Sequence, residues 1–184
     1  MLTKLLADKH TKNFQVYDID GSNYVEQTDL ERWAENLAKI RGWEPETLEF
    51  KKLVDQFREI WTTFWQPADV SGDGKVSFQE YLRVAEASIQ NFPNSPKIQE
   101  THAAKANGIF NVLDFDNDGK ISETEYRQFC EAIGLDDATA KSAFMKLDET
   151  GKGYLSREDY LQRSEEFHVG NDPNAPGNWL YGAY

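Results

Sequence analysis

The stretch DFDNDGKISETE, Asp114 to Glu125, constrains this chain more than any other. Asp114, Asp116 and Asp118 alternate along it, which aims three carboxylates at one point. Gly119 takes the sharp turn that follows, because without a Cβ it enters left-handed backbone freely. Lys120 lends only its backbone carbonyl, Ser122 reaches the centre directly or through water, and Glu125, already on the next helix, clamps with both oxygens. Every specified place of the pattern D-x-[DN]-x-[DN]-G-x5-E is filled, so the stretch reads as a loop for calcium between two helices. Ile121 is expected to pair, through a short strand, with its counterpart in a neighbouring loop.

Three further segments repeat the arrangement, beginning at Asp18, Asp69 and Asp148. DVSGDGKVSFQE keeps Asp69, Asp73 and the closing Glu80, offers the hydroxyl of Ser71 at the third place, and presents the carbonyl of Lys75 where Lys120 stands in the first-described loop. DIDGSNYVEQTD keeps Asp18, Asp20 and Ser22, with the carbonyl of Tyr24 in the backbone position, but has Asn23 in place of glycine and Asp29 at the close. Asn tolerates the left-handed turn. Asp29 is one methylene shorter than Glu, so two-oxygen clamping is harder and magnesium becomes acceptable beside calcium. In DETGKGYLSRED the third place offers only Thr150, the closing Asp159 is short, and Lys152 brings an ammonium without a lone pair. That loop is expected to be empty, with Lys152 swung out or paired with Asp148 and Asp159, and to survive as scaffold because Leu155 can still pair with Ile121. The ion count is therefore expected to be three.

Between the loops, apolar residues recur at helical spacing. Leu30, Trp33, Leu37 and Ile40 form one stripe, and Leu53, Val54, Phe57, Ile60, Trp61 and Phe64 another. KIQETHAAKANGIFNVL places Ile109, Phe110 and Leu113 on one side, and ATAKSAFMKL follows an N-cap at Asp136 or Asp137. The fold class is all-α, a compact globule of four helix-loop-helix units in two pairs with short bridges between loops. The expected division is residues 1–92, residues 97–167 and a tail, 168–184, packed on the core.

A net charge of -12 disfavours nucleic acid and anionic membranes and suits a chain that gathers cations. The single Cys130 cannot form an internal disulfide, and a reducing cytoplasm is expected. No apolar stretch approaches spanning length and the second residue is Leu2, so no membrane anchor is expected.

On these loops, on the wide gap between the first and second, on the closing Asp29 and on the tail EEFHVGNDPNAPGNWLYGAY, the chain resembles EF-hand proteins of the sarcoplasmic calcium-binding protein, calexcitin and calerythrin group. The resemblance implies two EF-hand pairs, two or three bound ions, a C-terminal segment against the core, and a role as calcium buffer or signal modulator. Calcium-discharged photoproteins and luciferin-binding relatives form a second resemblance. They hold a substrate among aromatic and His residues of the core, and here His168, near Trp179 and Tyr184 in sequence, is the residue to watch. Ordinary packing of Trp33, Trp61, Trp65 and Trp179 is the favoured account of the aromatics.

Three function classes compete. A sensor needs an adaptable methionine-rich groove, and this chain has two methionines, Met1 and Met145. The closing NWLYGAY can fill a groove itself, so a monomeric buffer or modulator is favoured over a sensor with a protein target. No nucleophile or phosphate-loop motif stands in the chain, so an enzyme is not expected, and Cys130 reads as a small buried apolar residue.

Overall fold

A computed structural model describes residues 2–182 of the chain. The first unit consists of α1 (Lys4–Tyr17), β1 (Tyr24–Glu26) and α2 (Gln27–Ile40), and the second of α3 (Leu48–Ile60), β2 (Lys75–Ser77) and α4 (Phe78–Asn91). The third is α5 (Pro96–Leu113), β3 (Lys120–Ser122) and α6 (Glu123–Ala132), the fourth α7 (Asp137–Leu147), β4 (Tyr154–Ser156) and α8 (Arg157–His168). Helices thus flank all four acidic segments, as the periodicity predicts. Asp136 is the N-cap of α7, its carboxylate accepting from the Thr139 backbone N–H at 2.9 Å.

The four helices that leave the loops start in the same way. The ninth loop residue is the N-cap and the twelfth is the acid three residues on, which accepts from the N-cap backbone N–H: Glu26 to Asp29 at 2.8 Å, Ser77 to Glu80 at 2.9 Å, Ser122 to Glu125 at 2.7 Å and Ser156 to Asp159 at 2.7 Å. Each is a capping box, so the sequence register of the loop is also the start signal of the helix.

Adjacent loops pair through their strands. β1 and β2 run antiparallel with Val25 opposite Val76, and β3 and β4 likewise with Ile121 opposite Leu155. All four side chains are fully buried, which bolts each pair of loops to the core beneath it. The pairing of Ile121 with Leu155 is the one expected from the sequence. Trp33 of α2 then joins the halves of the molecule: its ring meets Phe57 of α3 at 5.4 Å and Phe129 of α6 at 5.5 Å, edge to face.

One helix departs from its predicted course. The apolar stripe from Leu53 to Phe64 suggests continuous α-helix, but after Ile60 the chain widens into a π turn, Trp61–Trp65, followed by a 3-10 turn, Gln66–Ala68. The extra residue in that turn rotates Trp65 inward, where it packs on Tyr17 at 4.8 Å and Tyr81 at 5.3 Å, and leaves Phe64 half-buried.

Beyond α8 the tail folds back on the molecule. Lys9 of α1 is fully buried and its ammonium donates to the carbonyls of Glu166 and Gly170 and to Asn178 Oδ1, at 2.8, 2.9 and 2.7 Å. Leu180 and Tyr181 are buried, and the Tyr126 hydroxyl is 3.1 and 3.2 Å from the carbonyls of Trp179 and Leu180. The descent of the tail onto α8 requires a glycine: a Cβ on Gly177 would lie 2.3 Å from the Arg163 carbonyl oxygen. Gly177→Ala should therefore cost on the order of 1–3 kcal/mol by overpacking. Denaturant unfolding with limited proteolysis checks this, and the expected result is a lower midpoint with cleavage beginning in the tail.

Candidate metal centres

The first loop gathers its acids most completely. Carboxylate oxygens of Asp18, Asp20 and Asp29 lie within 4.8 Å of one another. Asn23 adopts the left-handed turn with φ 67°, and its N–H and that of Ser22 donate to Asp18 at 2.9 Å. The Ser22 hydroxyl sits between Asp18 Oδ1, at 3.4 Å, and the Tyr24 carbonyl, at 3.2 Å, so both expected oxygens border the cluster. Asp29 is buried, with Oδ2 capping α2 and Oδ1 left without a hydrogen bond. Burial raises its pKa against the Glu26 N–H, and the charges of Asp20 and Asp18 add to the rise. A buried carboxylate oxygen with no hydrogen bond, beside two like charges and with the Arg32 guanidinium no nearer than 3.9 Å, is an arrangement a divalent cation satisfies.

The third loop repeats this. Asp114, Asp116 and Asp118 converge within 4.8 Å, Gly119 turns with φ 83°, and buried Asp114 Oδ1 has no partner. Glu125 is held by Ser122 through one oxygen and by the Phe115 N–H, at 3.2 Å, through the other, so it lies over the loop from α6 without joining the tight acid cluster. Lys120 carries its ammonium away, 4.7 Å from the Tyr154 ring centre, consistent with a backbone role only.

In the second loop the acids are less drawn together. Asp69 accepts from the N–H groups of Gly72 and Gly74 and from the Ser71 hydroxyl, Asp73 from Lys75 N, and Glu80 from Val70, Ser71 and Ser77. Those donors hold the Glu80 carboxyl down at about 2, the Ser77 backbone and hydroxyl contributing most. The carboxylates of Asp69, Asp73 and Glu80 are turned onto backbone N–H groups, and the Ser71 hydroxyl onto Asp69. The Lys75 side chain pairs with Glu26 of the partner loop, leaving its carbonyl as the group on offer.

The fourth loop folds its lysine inward. Lys152 Nζ meets Asp159 Oδ2 at 2.5 Å, while Asp148 accepts from the backbone N–H groups of Lys152 and Gly153 and not from the ammonium. Of the two pairings open in the sequence, only that with Asp159 forms through the side chain. Burial raises the Asp159 pKa, but the bonds from Lys152 and Ser156 overcome it, and the Lys152 pKa rises in turn.

A second cation escapes sequence reasoning: Arg32 of α2 reaches back to Asp20 at 2.5 Å and lies 3.9 Å from Asp29. Its place three residues after the closing acid puts it on the helix face above the loop, and that spacing is the signal that could have found it.

Away from the loops, a cavity of about 510 Å³ opens among α1, the π turn, α4, α5 and α8. Trp65, Tyr81, His10, His102 and His168 line it. The His10 Nε2–H donates to the His168 carbonyl at 2.9 Å, so its Nδ1 accepts from the Tyr81 hydroxyl at 2.6 Å. His168 thus stands in a histidine cluster; its neighbour from the tail is Tyr181, while Tyr184 lies outside the described residues. Trp33 and Trp61 are core packing as expected, and Trp65 serves both core and cavity. Burial pushes the pKa of His10 and His102 down to about 4, and holds that of His168 well below the usual imidazole value. Cys130 is fully buried, with its thiol pushed up to about 12.

The EF-hand domain pair family matches residues 8–86 and 103–165, covering the four loops. This chain belongs to the EF-hand family. Calerythrin of Saccharopolyspora erythraea is 27% identical over 170 residues, covering 92% of this chain and 96% of that protein. The luciferin-binding protein of Renilla reniformis is 27% identical over 171 residues, 90% of this chain and 86% of that one. The solved sarcoplasmic calcium-binding protein from amphioxus superposes with a TM-score of 0.71 at 18% identity, covering 100% of both chains. The family is one of calcium-binding proteins, not enzymes, and calcium is the ion this EF-hand chain binds.

Two outcomes follow from the geometry. Replacing Lys152 by Asp removes the internal counter-ion and supplies an oxygen, so native mass spectrometry should count one more calcium ion in Lys152→Asp than in the wild type. Separately, each buried neutral histidine binds fewer protons folded than unfolded, so in chelator stability is full above the unfolded pKa of 6.5 and falls as pH drops toward about 4. His102→Phe should flatten the slope of unfolding free energy in that window by about 1.4 kcal/mol per pH unit, read from urea titrations.

Proposed function

We propose that this EF-hand chain is a calcium buffer or signal modulator, monomeric and cytoplasmic, holding three ions in the loops that begin at Asp18, Asp69 and Asp114. The observation that carries the reading is the tail. Leu180 and Tyr181 lie buried against the C-terminal pair, the Tyr181 ring 5.0 Å from Phe167 and 6.1 Å from Phe129. A sensor opens such an apolar face to a target helix; here the face has an occupant from its own chain. Met145 is the one exposed methionine among the described residues, too little for an adaptable recognition surface. Residues 1–92 and 97–167 act in this reading as two ion-binding pairs, with 168–184 as the closing segment. The first loop takes magnesium as well as calcium, because the short Asp29 must also cap α2 and has one oxygen left for the ion. The fourth loop stays without an ion, the Lys152 ammonium standing where the charge would be. A reducing cytoplasm suits the buried Cys130 thiol.

A second reading, a calcium-binding carrier of a small organic molecule, is favoured by the cavity beside Trp65 and His168 and by likeness to the luciferin-binding protein. Coelenterazine added to the calcium-loaded and calcium-free protein tests it, with light or quenched Trp fluorescence as the readout.

For the buffer, calcium should raise the melting temperature strongly, each filled site adding about 2.7 kcal/mol at a hundredfold excess over its dissociation constant. Calorimetry with and without millimolar magnesium should show competition at one site only. Hydrogen exchange closes the test: the Trp179–Tyr181 amides should stay protected in calcium, and their release by calcium would favour a sensor.

A further inference from the structure

The chain carries a net charge of -12, yet the cavity reverses that sign. Its lining includes Lys97 and Lys105 and the three histidines, and no Asp or Glu. Lys105, on α5, is the telling residue. Its ammonium lies 5.7 Å from the ring centre of Tyr17 and 5.6 Å from that of Trp65, and among the described residues it makes no hydrogen bond or ion pair. Ring faces replace only part of the hydration that a lysine loses. Burial alone acts on its pKa, lowering it to about 8, so the group is still charged at neutral pH.

Other polar atoms around the cavity also lack partners. Trp65 Nε1, His102 Nε2 and His168 Nε2 are buried without a hydrogen bond, although Trp65 is 2% and His168 8% exposed as residues. The His168 Nδ1–H donates to the Ser164 carbonyl at 2.8 Å, which leaves Nε2 as a bare acceptor. Apolar side chains dominate the rest of the wall, with Phe64, Ile89, Phe92 and Ile98 beside the hydroxyl residues Ser88, Ser95 and Thr101, and Val84 is 41% exposed toward solvent. About 510 Å³ falls within the roughly 300–1,000 Å³ usual for small-molecule sites.

We propose that this cavity binds an apolar organic acid, with the acidic oxygen on the Lys105 ammonium and the Trp65 N–H and the apolar body against Phe64, Phe92 and Ile98. Lys97 stands exposed, so Lys105 is the one cation set among the rings and the neutral histidines, and it selects a monoanion, since a second negative charge would be buried unpaired. The inference rests on the second reading above, that the cavity holds a small molecule, and adds the charge of the ligand.

The test compares decanoate with decanol, matched in chain length, on the full chain loaded with calcium and freed of excess ion, by calorimetry and Trp fluorescence. The wild type should bind decanoate at least tenfold more tightly than decanol. Lys105→Met should lose that preference while keeping decanol affinity, calcium stoichiometry and melting behaviour, and Lys105→Arg should keep the preference. Equal binding of acid and alcohol by the wild type, or binding of coelenterazine with neither decyl compound, overturns the role of Lys105 and leaves the cavity a ligand site. Binding of none of the three overturns the cavity reading and this inference together.

Discussion

The acid that closes each loop belongs to two structures at once. Asp29, Glu80, Glu125 and Asp159 cap the first turn of α2, α4, α6 and α8 by accepting from the backbone N–H three residues earlier. The same side chains stand where an EF-hand ion expects its last ligand. Helix start and ion site are therefore set by one residue, and moving either moves the other. The effect on each loop depends on what remains after the cap is made. Asp29 has one buried oxygen left over, Glu80 spends both on N–H groups and a hydroxyl, and Asp159 takes the Lys152 ammonium on the same oxygen that accepts from the Ser156 N–H and hydroxyl.

Strand pairing explains why a loop with a lysine inside it persists. Leu155 opposes Ile121, and Val25 opposes Val76, in the two short ladders that tie loops together. Losing the fourth loop would expose Ile121 and unpair β3, whose first residue presents the Lys120 carbonyl to the third loop. The ammonium of Lys152 neutralises Asp159 within the fourth loop. Arg32 does something similar from outside the first loop, where it neutralises Asp20 from an exposed helix face.

Above the loops, the halves of the molecule meet through large rings. Trp33 touches α3 and α6, Tyr17 stacks on Trp33 at 4.8 Å, and Lys9 ties α1 to the last turn of α8 and to the tail. This closure leaves the C-terminal pair covered by Leu180 and Tyr181 and places one basic, apolar cavity beneath the π turn. The two proposed roles, buffering and ligand carriage, would draw on different parts of the fold, the loops and the cavity.

What the sequence alone determined is what depends on short separations. Asp114, Asp116 and Asp118 with Gly119 specify a loop because alternate residues of one turn share a focus, and the stripe from Leu30 to Ile40 specifies a helix because its period is local. Asn23 could be read as a left-handed residue for the same reason, and it is one. Tertiary structure decided what depends on residues far apart. The pairing of Lys152 with Asp159 over Asp148 followed from side-chain reach within the folded loop, and the π turn that swings Trp65 inward broke a periodicity that predicted a continuous helix. The meeting of His10, His102, His168 and Lys105 around one cavity joins α1, α5 and α8, whose proximity no spacing encodes. Ligand loops are legible because backbone geometry over a few residues holds their oxygens together; a cavity is not, because only the packing of distant helices brings its walls face to face.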